Sequence, residues 1–252
     1  MHSAAFPVEL RLHQPERGQQ LVQRFYELHH DRSRGREVVM DEEKKFRFFA
    51  DRFKAHGIDV GLGLDLGCRG GTLTKRLSRF GRWVGVDIDH GAVDMANRNG
   101  VPCIPLDVST AIDFRDGAFD AVCATEVLEH LPYPTVTLHE VHRILVKAPG
   151  SIFIGTVPID YNLHARFAVL RGKRLCYDPT HLRSFTFQDV RDLLEHYFEV
   201  VEFEPMRGTK TRHRWLSPHL FVRDVAWFAK TPRSEIDTSA GAPLPRDLRK
   251  VG

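Results

Sequence analysis

The residues able to do chemistry in this 252-residue chain are a cluster of glycines and a series of carboxylates at set intervals. In "LDLGCRGGTLTKRLSRFG", residues 64–81, an apolar run ends on Gly67, Gly70 and Gly71, and a helical pattern begins at once. A strand that stops on glycines lets a ligand approach the backbone where a side chain would collide, and it aims a helix N-terminus at that ligand. Asp87, in the next apolar run "WVGVDID", follows Gly67 by 20 residues. At that spacing a carboxylate can accept hydrogen bonds from ribose hydroxyls. Asp107 ends "VPCIPLD", and Thr125 and Glu126 follow "FDAVCA". A bare turn between strand and helix predicts no carboxylate at position 87, so the pattern reads as a site for a nucleoside-bearing ligand. The G-x-G-x-x-G of a nicotinamide dehydrogenase is absent, because Gly67 is followed by Arg69 and then by Gly70 and Gly71.

The elements that must position these groups follow from periodicity. Apolar runs at 62–66, 83–88, 101–106, 119–124 and 152–157 are separated by helical stretches, one with Leu73, Leu77 and Phe80 on a face, one with Val93 and Ala96, one with Leu138, Val141 and Leu145. Strand and helix in strict alternation predict an α/β, doubly wound, Rossmann-like sheet, mostly parallel, with helices on both faces. Two later runs, "FEVVEFEP" and "VRDVAWFAKT", bring the strands to seven, and Thr186 with Asp189 has the spacing of a capping box before another helix. Residues 1–58 read as a helical preface in which Phe46, Phe49 and Phe53 share a face. Residues 59–232 form the main domain, with an irregular insertion over about 158–184, and 233–252 read as a disordered tail rich in proline, glycine, serine and charge. No internal repeat is visible.

These residues resemble the class I S-adenosylmethionine-dependent methyltransferases of small-molecule type. "LDLGCRGG" is similar to the family's first motif, "VGVDID" to its second, and "LDVS" to the acid and neighbour that bracket the adenine. "FDAVCATEVLEHL" and "LHEVHRILVKAPGSIFIGTVP" resemble its fourth and fifth strands with the helix between them. The likeness is close from Phe46 to Pro158 and looser through "DPTHLRSFTFQDVRDLLEHYFEVVEFEP". Position by position it implies S-adenosylmethionine as cofactor. Asp65 would help hold the methionine amino group, and Gly67 and Gly71 would admit the amino-acid moiety. Asp87, with Ile88 beside it, would hold the ribose, and Asp107, with Val108, would meet the adenine. Thr125 and Glu126 would end the fourth strand, Glu126 beside the transferred methyl. Arg69 stands where the family most often has a second glycine; it either covers the cofactor carboxylate or points to solvent. "KAPGS" replaces a commoner double glycine before strand five.

Methyl transfer is an in-line displacement that needs alignment and exclusion of water, and an oxygen nucleophile also needs a base. The resemblance places a substrate lid in the insertion, which holds Tyr177, Asp178 and His181. His181 is the candidate base, with a structural tie between lid and sheet as the alternative, and His130 is expected to fix the loop under the methyl site. Arg166, Arg171, Lys173, Arg174 and Arg183 in the insertion, and Arg207, Lys210, Arg212 and Arg214 after it, would favour an anionic acceptor. The expected acceptor is the oxygen of a small or glycan-type molecule. Methylation of nucleic-acid bases is disfavoured, since no Asn/Asp-Pro-Pro-aromatic tetrapeptide follows strand four and Pro102-Cys103 lies inside strand three. RNA or protein acceptors, and a non-catalytic cofactor-binding scaffold, remain as alternatives.

Composition bounds the rest. A formal net charge of +3 is too small to mark a nucleic-acid protein. Four cysteines without a C-x-x-C pair indicate neither disulfides nor a zinc site, and no metal ligand set is read from the sequence. No window is long and apolar enough to span a membrane, and the N-terminus lacks a signal-peptide core, so a cytoplasmic location is expected. The preface would either cap the cofactor or pair two subunits as a homodimer.

Overall fold

Each apolar run folds as a strand: β1 (Val60–Leu66), β2 (Gly81–Asp87), β3 (Cys103–Pro105), β4 (Ala121–Thr125), β5 (Ile152–Pro158), β6 (Phe198–Gly208) and β7 (Val222–Pro232). This computed structural model describes residues 24, 39–175, 178, 180–208 and 217–236. The helix expected in "LVQRFYELHH", Tyr177, Lys210, Arg212, Arg214 and the tail from residue 237 lie outside the described residues, as does the Arg207 side chain. The seven strands make one sheet in the order β3-β2-β1-β4-β5-β7-β6. β1 to β5 pair in parallel, while β7 enters antiparallel between β5 and β6. Strand order reverses between β1 and β4, which opens a crevice at the carboxyl ends of the strands.

Helices connect the strands: α1 (Val39–His56), α2 (Thr72–Leu77), α3 (His90–Arg98), α4 (Pro134–Ile144), α5 (Leu163–Leu170), α6 (Phe187–Tyr197) and a single turn, α7 (Pro218–Phe221). Several of them start where the sequence caps or removes otherwise unpaired N–H groups. Asp89 caps α3 by accepting from Gly91 and Ala92, Pro134 opens α4, and Thr186 and Asp189 close the capping box of α6 in both directions.

The sheet is covered on both faces. On one, Leu64, Val84, Val122 and Phe153 pack with Leu138 and Val141 of α4 and Leu194 of α6. On the other, Phe46, Phe49 and Phe53 of α1 pack with Leu77, Trp83 and Phe228. Strand β5 carries Gly155 because the Trp227 indole crosses it there: a Cβ would stand 2.2 Å from that ring.

The structure departs from the sequence reading in three places. β3 is only three residues long, since Pro102 and Pro105 remove ladder donors at both ends. The insertion between β5 and α6 is not wholly irregular, for Asn162 caps α5 within it. The chain also stays docked beyond Pro232: the Arg233 amide donates to the Tyr197 carbonyl, and Ile236 packs against the core. Residues 233–236 are therefore part of the fold, a correction to a tail beginning at 233.

Candidate active site

The glycine loop is held by its own strained backbone and by the second strand. Gly67, Arg69 and Gly71 all take left-handed conformations, with φ of 65°, 51° and 76°. Space as well as angle excludes side chains: a Cβ on Gly67 would stand 2.8 Å from Val127, and one on Gly71 2.9 Å from Val101. Arg69 pays about 1–2 kcal/mol for its conformation, and the loop retains it through a hydrogen bond from its amide to Asp87 Oδ2 at 2.8 Å. Its side chain is exposed. Beneath the loop the Cys68 and Cys103 sulfurs are 3.2 Å apart.

Asp65 lies under this loop, 2% exposed. Its Oδ2 accepts from the Thr74 hydroxyl at 2.6 Å, whereas no hydrogen bond of normal geometry reaches Oδ1, and the Cys123 thiol is the neighbouring polar group. Burial pushes its pKa up to about 7, against the lowering effect of the Thr74 bond. A buried carboxylate oxygen without a partner, beside glycines that leave the backbone open, suits an ammonium group. Asp87 is buried at the end of β2, where Oδ1 accepts from the Asp89 amide at 2.9 Å while Oδ2 holds the loop. Half-buried Asp107 accepts from the Ser109 amide at 2.8 Å, and the Val108 carbonyl is held by the Thr137 hydroxyl. Ile88 and Thr125 are half-buried at the ends of β2 and β4. Because the strand order is β3-β2-β1-β4, Asp107, Asp87, the glycine loop and Glu126 stand side by side along one edge of the sheet.

Glu126 leaves β4 with φ 55°. Its Oε1 accepts from the Thr156 hydroxyl at 2.7 Å and from Lys45 Nζ at 3.1 Å, so α1 sends a cation into the site. Lys45 was not legible in the sequence: it is one of several charges on an amphipathic helix, and nothing local marks it.

Just beyond, Glu129 and His130 form a 3-10 turn, Leu128–His130. Glu129 is 0% exposed, and neither carboxylate oxygen has a hydrogen-bond partner. Burial, and then the charge of Glu126, pushes its pKa well up. His130 donates from Nδ1 to the Thr180 carbonyl at 3.1 Å and places Nε2 3.8 Å from Glu129 Oε1. Burial, and then His181, lowers the His130 pKa to about 4. His181 meets the His130 ring edge-to-face at 4.8 Å between centroids, with Nε2 3.9 Å from Asp178 Oδ2. The Leu182 and Arg183 amides both donate to the Glu129 carbonyl, which ties the insertion to the turn after β4. The structure thus brings His181 and His130 together, and it adds Glu129, which the sequence reading did not single out.

A parallel sheet of this order with an antiparallel β7, a glycine loop after β1 and a carboxylate ending β2 defines a doubly wound, Rossmann-like fold. A family described as "Methyltransferase domain" matches residues 64–154. The chain is 34% identical over 106 residues to a ubiquinone biosynthesis O-methyltransferase of Xanthomonas oryzae pv. oryzae, covering 37% of this chain and 42% of that one. It is 30% identical over 137 residues to the protein of that name in Pseudomonas aeruginosa, covering 46% and 56%. The chain spans about half the length of the curated relatives it matches. A solved SAM-dependent methyltransferase from Archaeoglobus fulgidus shares the fold, with a TM-score of 0.53 at 18% identity over 77% of this chain and 99% of that one. Over residues 64–154 the chain is thus similar to a methyltransferase domain, and its fold is that of a solved S-adenosylmethionine-dependent methyltransferase. Among the described residues no helix is long and apolar enough to cross a membrane.

Proposed function

We propose that this protein transfers the methyl group of S-adenosylmethionine to an oxygen of a small-molecule acceptor. The carrying observation is the row of Asp107, Asp87, the Gly67–Gly71 loop and Asp65 along one sheet edge, with Asp65 Oδ1 lacking a hydrogen bond where an ammonium would bind. The name of the matched relatives, O-methyltransferase, supports oxygen as the acceptor atom. In this reading Asp65 holds the cofactor's amino group and the backbone of Gly67 and Gly71 its amino-acid end. Asp87 orients the ribose. Asp107 meets the adenine amino group, between Ile88 and Val108.

The bound cofactor supplies an electrophilic methyl on a sulfonium. Thr125 and Glu126 border the place where that methyl would lie, and Lys45 fixes the Glu126 carboxylate through its ion pair. That contact supports a capping role for the preface over a role in pairing subunits. Removal of the acceptor proton falls to the group around His181, which lies in contact with His130. The exposed Arg166, Arg171, Lys173, Arg174 and Arg183 favour an acceptor that carries negative charge, with glycan-linked or carboxylated molecules as candidates.

Calorimetric titration with S-adenosylmethionine and S-adenosylhomocysteine, with NAD as control, tests the cofactor site. Micromolar binding, weakened about tenfold or more in Asp87→Ala by loss of charge-assisted hydrogen bonds, is expected. Absence of binding to either sulfur ligand would sink the reading.

A further inference from the structure

Glu129 poses a physical problem that the methyl-transfer reading leaves unsolved. A carboxylate fully removed from water and without hydrogen bonds is costly in either protonation state, unless a cation or a proton donor faces it. Two imidazoles stand beside it, and the Lys45 ammonium, hydrogen-bonded to Glu126 rather than to Glu129, acts on it without making a bond. One ligand atom from each of Glu129, His130 and His181 can be chosen so that all three lie within 4.8 Å of one another.

We propose that Glu129, His130 and His181 bind a divalent transition-metal ion, of the Mn2+ or Zn2+ class, at the carboxyl end of β4. Two imidazoles and one carboxylate form a borderline donor set of the kind such ions take. Metal–ligand bonds of about 2.0–2.2 Å put neighbouring donor atoms about 3.0–3.5 Å apart. Glu129 Oε1 and His130 Nε2, at 3.8 Å, are already close to that spacing.

The surroundings fit as well. The His130 Nδ1–H bond to the Thr180 carbonyl fixes the tautomer that leaves the Nε2 lone pair facing Glu129. Asp178 stands 3.9 Å from His181 and supplies an outer carboxylate. Both outer partners come from one short stretch of the insertion, residues 178–180. Glu126 and Asp160 add acidic charge in the neighbourhood of Glu129, partly offset by Lys45. The site is closed on the Glu129 side, but the imidazoles keep 22% and 15% of their side-chain surface exposed, which leaves room for a further ligand. An ion there lowers the pKa of a hydroxyl bound to it. The bound hydroxyl would then give its proton to water and react as the metal-bound oxyanion, with no need for His181 as base, and only this last step rests on the function proposed above.

The test is metal binding, measured without cofactor or acceptor, so that it stands apart from failure of the methyl-transfer reading. Full-length protein stripped with chelator is titrated with Mn2+ and read by electron paramagnetic resonance, then with Zn2+ by calorimetry. Glu129→Gln and His181→Ala are run in parallel, their folding checked by circular dichroism. We expect one equivalent bound by the unaltered protein, and affinity reduced more than about tenfold in each variant. No binding at millimolar metal, or equal binding in all three proteins, overturns the proposal and leaves Glu129 as a buried neutral acid.

Discussion

Asp65 is the side chain through which the proposed cofactor site would be coupled to the stability of the fold. Its folded pKa of about 7 is raised above the unfolded value, about 3.9. Its contribution to stability is therefore fully present below the unfolded pKa and is lost as pH rises through 7, by on the order of 1 kcal/mol per pH unit. An ammonium on its unpartnered oxygen favours the charged form, so cofactor affinity should climb between pH 6 and 8. In Asp65→Asn that climb should vanish, and thermal unfolding should lose its decline between about pH 4 and 7; calorimetry and melting curves across the two ranges read both. The position of Asp87 at the end of β2 was legible because a fixed spacing within one βαβ unit carries it. Glu129 was not, because its surroundings are assembled from residues 178–183, some fifty positions away in the chain.

At the scale of elements, α1 is the clearest link between packing and site. Phe53 is 1% exposed against Phe80 and Phe228, and the helix it anchors carries Lys45 to Glu126. Phe53→Ala should cost about 3–5 kcal/mol, read by chemical denaturation. If α1 caps the site, cofactor affinity should fall along with stability. The apolar face of α1 was visible as three- and four-residue spacing, and so were the central strands as short apolar runs. The helix α5 was not: "LHARFAVL" is apolar around much of its circumference, and Phe167, Val169 and Leu170 stay exposed, so no periodicity announced it. Its start depends on Asn162 accepting from the Ala165 amide, a cap that reads from sequence as one more polar loop residue.

Across the whole molecule, a net charge of +3 says little, but its placement says more. The described part of the insertion carries five exposed cations, Arg166, Arg171, Lys173, Arg174 and Arg183, near the proposed acceptor opening. If the acceptor is anionic, its KM should rise severalfold between low and about 0.5 M salt, where the Debye length shrinks to a few ångströms. A KM indifferent to salt would count against that charge preference. The sheet order has a consequence of another kind, for the protein's birth on the ribosome. All the strands that bear the proposed cofactor residues have been synthesised by residue 126, yet β5 must wait for β7, which is drawn from residues 222–232, to cover its outer edge. Until then a buried-type strand, "IFIGTVP", presents open backbone to solvent. Chains released before about residue 220 should therefore aggregate or be held by chaperones, while chains that include β7 should stay free of both in a pelleting assay.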